Sequence, residues 1–259
     1  MTGRLPSIFL GHGNPMNALR TDPYTEAWER LGQSIPRPRA ILSISAHWFV
    51  PGIAVTASAQ PRTIHDFVGF PEELYHVNYP APGDSRLAQK LQQLLAPLPV
   101  RLDENRGLDH GTWSVLRHVY PSADIPVVQM SMDDTKPTSF HFDLGKKLAP
   151  LREEGVLILG SGNLVHNLEA IAWGVEVSQP YAWAVRFERE ARLLLAAGDC
   201  QALVEYQRLG SDALLAIPTL EHFLPLLYVI GSKLGNEAIT FPVQGIDRGA
   251  ISMLAVQVG

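Results

Sequence analysis

Three histidines follow apolar segments of this chain and stand close to glycine or other small residues. His12 lies in the sequence GHG, His47 in SAHW, and His166 at the end of GSGNLVH. Neutral imidazole is the most common metal ligand and binds zinc, copper, iron and nickel. In open α/β sheets, ligands bind outside the carboxyl ends of the strands. The pattern therefore predicts a histidine-rich mononuclear metal site, although each histidine taken singly is also typical of a structural, hydrogen-bonded residue.

Two further histidines extend this set. His110, in LDHGTW, stands at a predicted helix start. His222 lies in TLEHFL, where Thr219 has the residue type of a helix N-cap. That cap predicts that Glu221 and His222 lie in the first turn of a helix.

The proline-rich segment 60–82 is interpreted as a functional loop. His65 in this loop could line a pocket or support the loop itself. Phe70, Trp48 and Trp113 could form the wall of an aromatic-substrate site, with core packing as the alternative for each. The remaining histidines have polar surroundings and are interpreted as surface or capping residues. They are His76, His118 and His141.

Short apolar runs alternate with helical patterns along the chain, which predicts an α/β layer fold around one sheet. The predicted strands cover residues 7–10, 40–44, 53–56, 125–130, 156–159 and 250–258. The predicted helices cover residues 23–31, 85–95, 112–119, 142–151, 181–197 and 221–230. No domain boundary is evident.

Composition excludes several classes of protein. The chain has 259 residues, 46% hydrophobic and 18% charged, which excludes disorder. A net charge of -5 without a densely basic stretch argues against nucleic acid or an anionic membrane as partner. The apolar runs are too short for a signal peptide or for a membrane span of about 20 residues. The single cysteine excludes an internal disulfide framework, so we expect a cytoplasmic protein. The sequence leaves the oligomeric state open.

With these residues in view, the chain resembles the class III extradiol ring-cleavage dioxygenases of the LigB-like superfamily, and within them the 4,5-DOPA dioxygenase branch. The resemblance implies one catalytic α/β domain over residues 1–259. It further implies a central mixed, largely parallel sheet flanked by helices, with the active site at the carboxyl edge of the strands. The motifs that carry it are FLGHGNPM (9–16), ISAHW (44–48), TIHDF (63–67), YPAPG (79–83), DHGTWS (109–114), GSGNLVHN (160–167), EHFLPL (221–226) and GAISM (249–253).

The resemblance also implies the metal ligands. His12 and His47 match the two strand-end ligands of the family, and His222 matches the third ligand of this branch. In protocatechuate-type relatives the third ligand is a glutamate, which completes a 2-His-1-carboxylate triad. Because Glu221 precedes His222 here, the choice between the two stays open, with His222 favoured by the Glu-His pair.

The resemblance assigns two histidines to catalysis. His166 matches the catalytic base and is also a candidate fourth metal ligand. His110 matches the second active-site histidine, which would hydrogen-bond oxygen or donate a proton. The implied substrates are O2 and a small catechol such as L-DOPA, with 4,5 and 2,3 cleavage both open. Iron(II) is the metal expected for activity, and zinc(II) is an alternative occupant. The candidate substrate contacts are His65, Asp66, Phe70 and Trp113.

Two other functions are compatible with the same histidines. A zinc-dependent hydrolase could use His12, His47, His166 and His222 to hold zinc and activate water. A non-catalytic protein that binds a metal or a small molecule would show saturable binding without turnover. Metal identity and O2 consumption distinguish these functions from a dioxygenase.

Overall fold

The computed structural model describes residues 3–171 and 179–259 as a single-domain α/β fold. The predicted domain over residues 1–259 also includes the short stretches outside this description. The strands are β1 (Ser7–Gly11), β2 (Ala40–Val50), β3 (Ile53–Thr56), β4 (Val100–Asp103), β5 (Val127–Asp133), β6 (Val156–Gly162), β7 (Ile239–Val243), β8 (Ile246–Asp247), β9 (Ile251–Ser252) and β10 (Ala255–Val258). The α-helices are α1 (Pro23–Ser34), α2 (Glu72–Tyr75), α3 (Ser85–Leu94), α4 (His110–Val119), α5 (Thr138–Leu148), α6 (Ala182–Ala196), α7 (Cys200–Val204), α8 (Ser211–Ala216) and α9 (Leu224–Gly231).

Eight strands form one sheet in the order β4-β3-β5-β2-β6-β1-β10-β7, while β8 and β9 pair in a separate hairpin. Strands β5, β2, β6 and β1 are parallel to one another, whereas β3 is antiparallel to β5 and β10 is antiparallel to β1. The predicted mixed, largely parallel sheet is therefore confirmed. Because β1, β2 and β6 run in the same direction, their carboxyl ends meet at one edge of the sheet.

Apolar side chains cover both faces of the central strands. In β1, Phe9 packs into the core on one face, while Ile8 and Leu10 pack into the core on the other. Helices α5 and α9 pack on the face of the sheet that carries Phe9. Helices α1 and α4 pack on the opposite face, which carries Ile8 and Leu10. Burial on both faces explains why these strands appear in the sequence as continuous apolar runs.

The two edge strands of the sheet, β4 and β7, were not predicted. Strand β4 is short and carries Arg101 and Asp103, which form an ion pair at 2.6 Å. Strand β7 contains Pro242, which lacks the N–H group that a central strand needs. Charges and proline are typical of edge strands because they prevent pairing with another chain.

Helix α9 begins later than the sequence predicts. It starts at Leu224, and Pro225 occupies its first turn. A helix that started at Glu221 would place this proline in its interior, where the ring clashes with the preceding turn. His222 therefore lies in the turn before α9. The Thr219 hydroxyl donates a hydrogen bond to the Glu221 carboxylate at 2.7 Å, so the predicted N-cap role of Thr219 was wrong.

The described part of the chain contains no helix that is long and apolar enough to cross a membrane.

A buried arginine, Arg152, forms hydrogen bonds with three segments that are distant in sequence. The Arg152 side chain is fully buried, and its two terminal nitrogens donate to the Glu237 carboxylate at 2.7 and 2.8 Å. It also donates to the carbonyl oxygens of Leu5, Ser232 and Val258. These contacts connect the segment before β1 with the ends of α9 and β10.

We expect Arg152→Met to lower the free energy of unfolding by about 3–5 kcal/mol, because it leaves Glu237 and buried carbonyl groups without their partner. Urea denaturation measures this loss. Arg4→Met is the matched control, because Arg4 pairs with the same glutamate but its side chain is 39% exposed. Equal losses in the two variants would contradict the assigned role of the buried arginine.

Candidate active site

Five histidines from separate elements line one cavity of about 240 Å³. His12 follows β1, His110 begins α4, His166 follows β6, and His222 lies in the turn before α9. His47 lies within β2, which extends to Val50 and so well beyond the predicted strand over residues 40–44. The predicted gathering of histidines at the carboxyl edge of the sheet is thus observed.

The side chains of His12, His47 and His222 form a compact group. Their candidate ligand atoms all lie within 4.8 Å of one another. The Nε2 atoms of His12 and His47 are 3.3 Å apart. Two imidazole nitrogens bound to one ion at about 2.1 Å would lie about 3.0–3.4 Å apart, depending on the coordination angle. The donor set therefore fits a single divalent cation.

A hydrogen-bond chain determines which nitrogen of His12 faces this group. The Ser161 hydroxyl donates to the carbonyl oxygen of Gly111, so it can only accept from the His12 Nδ1 atom, 3.0 Å away. Nδ1 of His12 therefore carries the proton, and Nε2 keeps its lone pair toward His47. Such partners commonly orient metal-binding histidines.

Glu221 lies beside His222 and outside the group formed with His12 and His47. Its Oε1 atom is 3.3 Å from the Nδ1 atom of His222. A carboxylate at this nitrogen favours the Nδ1–H tautomer and leaves Nε2 as the free donor atom. The geometry thus brings His222 to the other two histidines, while Glu221 orients it.

Asp66 joins two other histidines of the cavity. One carboxylate oxygen accepts the backbone N–H of His110 at 2.9 Å and lies 3.0 Å from its Nδ1 atom. The other oxygen lies 3.7 Å from Nδ1 of His47. Burial acts to raise the pKa of Asp66, but its interactions with His110 outweigh this effect and hold the pKa at about 2. Asp66 is therefore ionised and contacts histidines of the site.

His166 stacks on His222, with ring centroids 3.5 Å apart and planes 8° from parallel. Its candidate ligand atom groups with those of Glu221 and His222. Burial lowers the pKa of His166 to about 4, and the charge of Glu221 opposes this shift. The imidazole is consequently neutral at pH 7 and able to accept a proton.

The other imidazoles of the group are also neutral. Burial, followed by repulsion from neighbouring imidazoles, lowers the pKa of His12 and His222 well below 6.5. Burial lowers the pKa of His47 to about 3. Because a metal binds the neutral form of histidine, these side chains need not lose protons before they bind a cation.

Of the expected substrate contacts, Phe70 lines the cavity. Trp113 is fully buried, and its Nε1 atom donates to the carbonyl of Ile64 at 2.7 Å. The His65 ring packs against Trp113, and its Nε2 atom bonds to the carbonyl of Val77 at 2.9 Å. His65 thus supports the loop and Trp113 packs in the core, which are the alternatives that the sequence left open for these two residues.

Several lining residues were not among the predicted site residues, although Asn14, Pro15 and Ile251 lie in motifs that carry the resemblance. Most are apolar or stand far along the chain from any histidine motif, so only the tertiary fold brings them to the cavity. They are Asn14, Pro15, Leu168, Ile171, Asp247, Arg248 and Ile251.

The cluster of neutral histidines at the carboxyl edge of this α/β sheet is typical of a metal-dependent enzyme. Comparisons with known proteins identify the family. Residues 6–240 match the family described as the catalytic LigB subunit of aromatic ring-opening dioxygenase. The chain is 51% identical to a 4,5-DOPA dioxygenase extradiol of Escherichia coli (strain K12), over 99% of this chain and 95% of that protein. It is 37% identical to a protein of the same name from Beta vulgaris, over 95% and 93% of the two chains.

A solved structure shares the fold. The crystal structure of an uncharacterised protein from Escherichia coli K12 superposes with a TM-score of 0.87 and 46% identity. The match covers 99% of this chain and 100% of that one. The chain therefore belongs to the LigB family and is an oxidoreductase of the extradiol dioxygenase class. This membership argues against the zinc hydrolase and the non-catalytic binding protein.

Among the remaining histidines, His76 is exposed, whereas His141 is fully buried, so the surface interpretation of His141 was wrong. Its Nδ1 atom lies 2.9 Å from the Tyr228 hydroxyl. It lies on helix α5, which packs against α9, and sequence position alone did not reveal that contact. Burial lowers the pKa of His141 from 6.5 to about 4.

Because unfolding restores the higher pKa, the unfolded chain binds the proton first as pH falls. We expect His141 to contribute stability above pH 6.5 and to lose about 3 kcal/mol of it as pH falls to about 4. Urea denaturation of wild type and His141→Gln between pH 7 and pH 4.5 measures this. The stability gap between them should narrow at low pH, and parallel curves would refute the assignment.

Proposed function

We propose that this protein opens the ring of a catechol such as L-DOPA with O2, at a mononuclear iron(II) held by His12, His47 and His222. The observation that carries the proposal is the convergence of three neutral imidazoles, within 4.8 Å of one another, at a cavity of about 240 Å³. The substrate class is supported by two relatives that carry the name 4,5-DOPA dioxygenase extradiol.

The metal's contribution follows from its ligand set. Three protein ligands leave coordination positions open, and a bound iron(II) would supply sites where a catechol and O2 meet. The apolar side chains of Phe70, Leu168, Ile171 and Ile251 line the same cavity. They would pack against the aromatic ring and exclude water from it.

His166 is the proposed general base. Its imidazole is neutral at pH 7, as a proton acceptor must be. Transfer of a catechol hydroxyl proton to His166 would create an imidazolium, which the nearby Glu221 carboxylate stabilises. Deprotonation makes the ring oxygen a better electron donor, which favours oxidation of the ring.

His110 is the proposed proton donor. The ionised carboxylate of Asp66 lies 3.0 Å from its Nδ1 atom and would stabilise a protonated imidazole. That form could donate a proton to oxygen from a position beside His47, whose ring centroid lies 3.8 Å from that of His110, whereas His166 stacks on His222. The two histidines would thus handle protons at separate positions.

The direct test is O2 uptake by anaerobically prepared, iron(II)-loaded protein with L-DOPA. We expect one O2 consumed for each substrate opened, and a yellow ring-opened product whose structure distinguishes 4,5 from 2,3 cleavage. No uptake with L-DOPA or simple catechols, in protein verified to hold iron, would refute the proposal.

The metal ligands can be tested separately from turnover. His12→Ala, His47→Ala and His222→Ala should each abolish stoichiometric binding of iron(II) or zinc(II), because two ligands hold a cation far more weakly than three. Metal content after dialysis measures this. His76→Ala, at an exposed histidine, is the control. Full metal content in a ligand variant would remove that residue from the set.

The role of His166 requires a kinetic measurement. We expect His166→Ala to slow ring opening by about 100-fold, as loss of a general base usually does. Metal content should stay at one equivalent, which separates a base from a fourth ligand. Unchanged turnover would exclude His166 from the proposed mechanism.

A further inference from the structure

Two oppositely charged residues line the cavity and take no part in the proposed reaction. Apart from the histidines, Asp247 and Arg248 are the residues with ionisable side chains in the described part of its wall. The Arg248 Nε atom lies 3.7 Å from the Asp247 carboxylate, and both side chains are partly exposed. Both side chains therefore lie at a surface that a bound molecule can reach.

The backbone conformation at Arg248 indicates that the arginine side chain has a role at this position. Arg248 has φ +47° and Gly249 has φ +81°, in the loop that joins β8 to β9. Glycine and asparagine adopt a positive φ with little strain, whereas arginine rarely does. Strained residues of this kind cluster at ligand sites, where the surrounding structure holds them in place.

The hairpin β8–β9 that carries the pair is attached to the segment that carries His166. Ile251 forms a β-bridge with His166, and the backbone N–H of Ser252 donates to the Val165 carbonyl at 2.9 Å. The Ser252 hydroxyl donates to the buried Glu188 at 2.6 Å. The charged pair therefore has a defined position relative to the proposed base.

We propose that Asp247 and Arg248 form a subsite for the zwitterionic amino-acid chain of the substrate. Arg248 would bind the carboxylate, and Asp247 would bind the ammonium group. This inference rests on the proposed function, because a catechol whose hydroxyls lie at the histidines presents its side chain to another part of the wall. Among the other described residues of that wall outside the histidines, Asn14 is polar but uncharged and the rest are apolar or glycine.

Four catechols separate the two charges. They are L-DOPA, 3-(3,4-dihydroxyphenyl)propionate, dopamine and 4-methylcatechol. We expect Arg248→Gln to lower kcat/KM for the two carboxylates, relative to 4-methylcatechol, by on the order of tenfold to 100-fold, as loss of a charged hydrogen bond does. Asp247→Asn should lower the relative kcat/KM of the two ammonium compounds. An equal loss for all four substrates would mean a structural role and overturn the proposal.

Two further variants exclude trivial causes. Arg248→Asn relieves the backbone strain, so its Tm should equal or exceed that of wild type while the preference for carboxylates falls. Arg37→Gln removes an exposed arginine paired with Asp124, before the amino end of β2, and should leave the substrate ratios unchanged. An equal change in ratios for Arg37→Gln would show a general charge effect and refute the subsite.

Calorimetry separates this inference from the reaction. Zinc(II)-loaded wild-type protein should bind L-DOPA at least tenfold more tightly than 4-methylcatechol, and Arg248→Gln should remove most of that difference. If no catechol is turned over but this difference appears, the proposed reaction fails and the subsite stands. If catechols are opened but wild type binds both compounds equally, the subsite fails and the reaction stands.

Discussion

The parallel register of β1, β6 and β2 sets the positions of the site's side chains. Ser161 in β6 pairs with Leu10 of β1 on one side and with Ser45 of β2 on the other. Its hydroxyl donates to Gly111 and accepts from His12, so it joins α4 to the segment after β1. A slip of one residue would turn Ser161 to the opposite face of the sheet and break this chain. The tautomer of His12 thus depends on the register of the strand pairing.

Burial makes a group of histidines suitable for a cation. Removal from water lowers the pKa values of His12, His47 and His222, so these imidazoles remain neutral close to one another. The carboxylates of Asp66 and Glu221 lie beside Nδ1 atoms of the cluster. They supply negative charge behind the proposed ligands, where it would orient the imidazoles and stabilise added positive charge. The same arrangement supports the proposed proton transfers, because each carboxylate lies beside a histidine that is proposed to be catalytic.

The sequence predicted the central strands of the sheet and the histidines that follow them better than it predicted the edge strands. Central strands are buried on both faces and appear as apolar runs, and the glycine-flanked histidines follow them directly. The edge strands carry charges or Pro242, which argue against a strand unless the edge position is known. The predicted helix began three residues before α9, because the apolar helical pattern includes residue 221 whereas Pro225 limits the helix to a start near Leu224. Tertiary packing alone determines the burial of His141 and brings Arg248 to the cavity, so neither carried a local signal.

The central claim is that one cation is held by His12, His47 and His222. Anomalous diffraction at the iron absorption edge, from crystals grown anaerobically with iron(II), tests it most directly. The account predicts a single peak at about 2.1 Å from one imidazole nitrogen of each of these three residues. A peak between His166 and Glu221, a peak beside Asp66 and His110, or no ordered peak in protein with stoichiometric iron would contradict it.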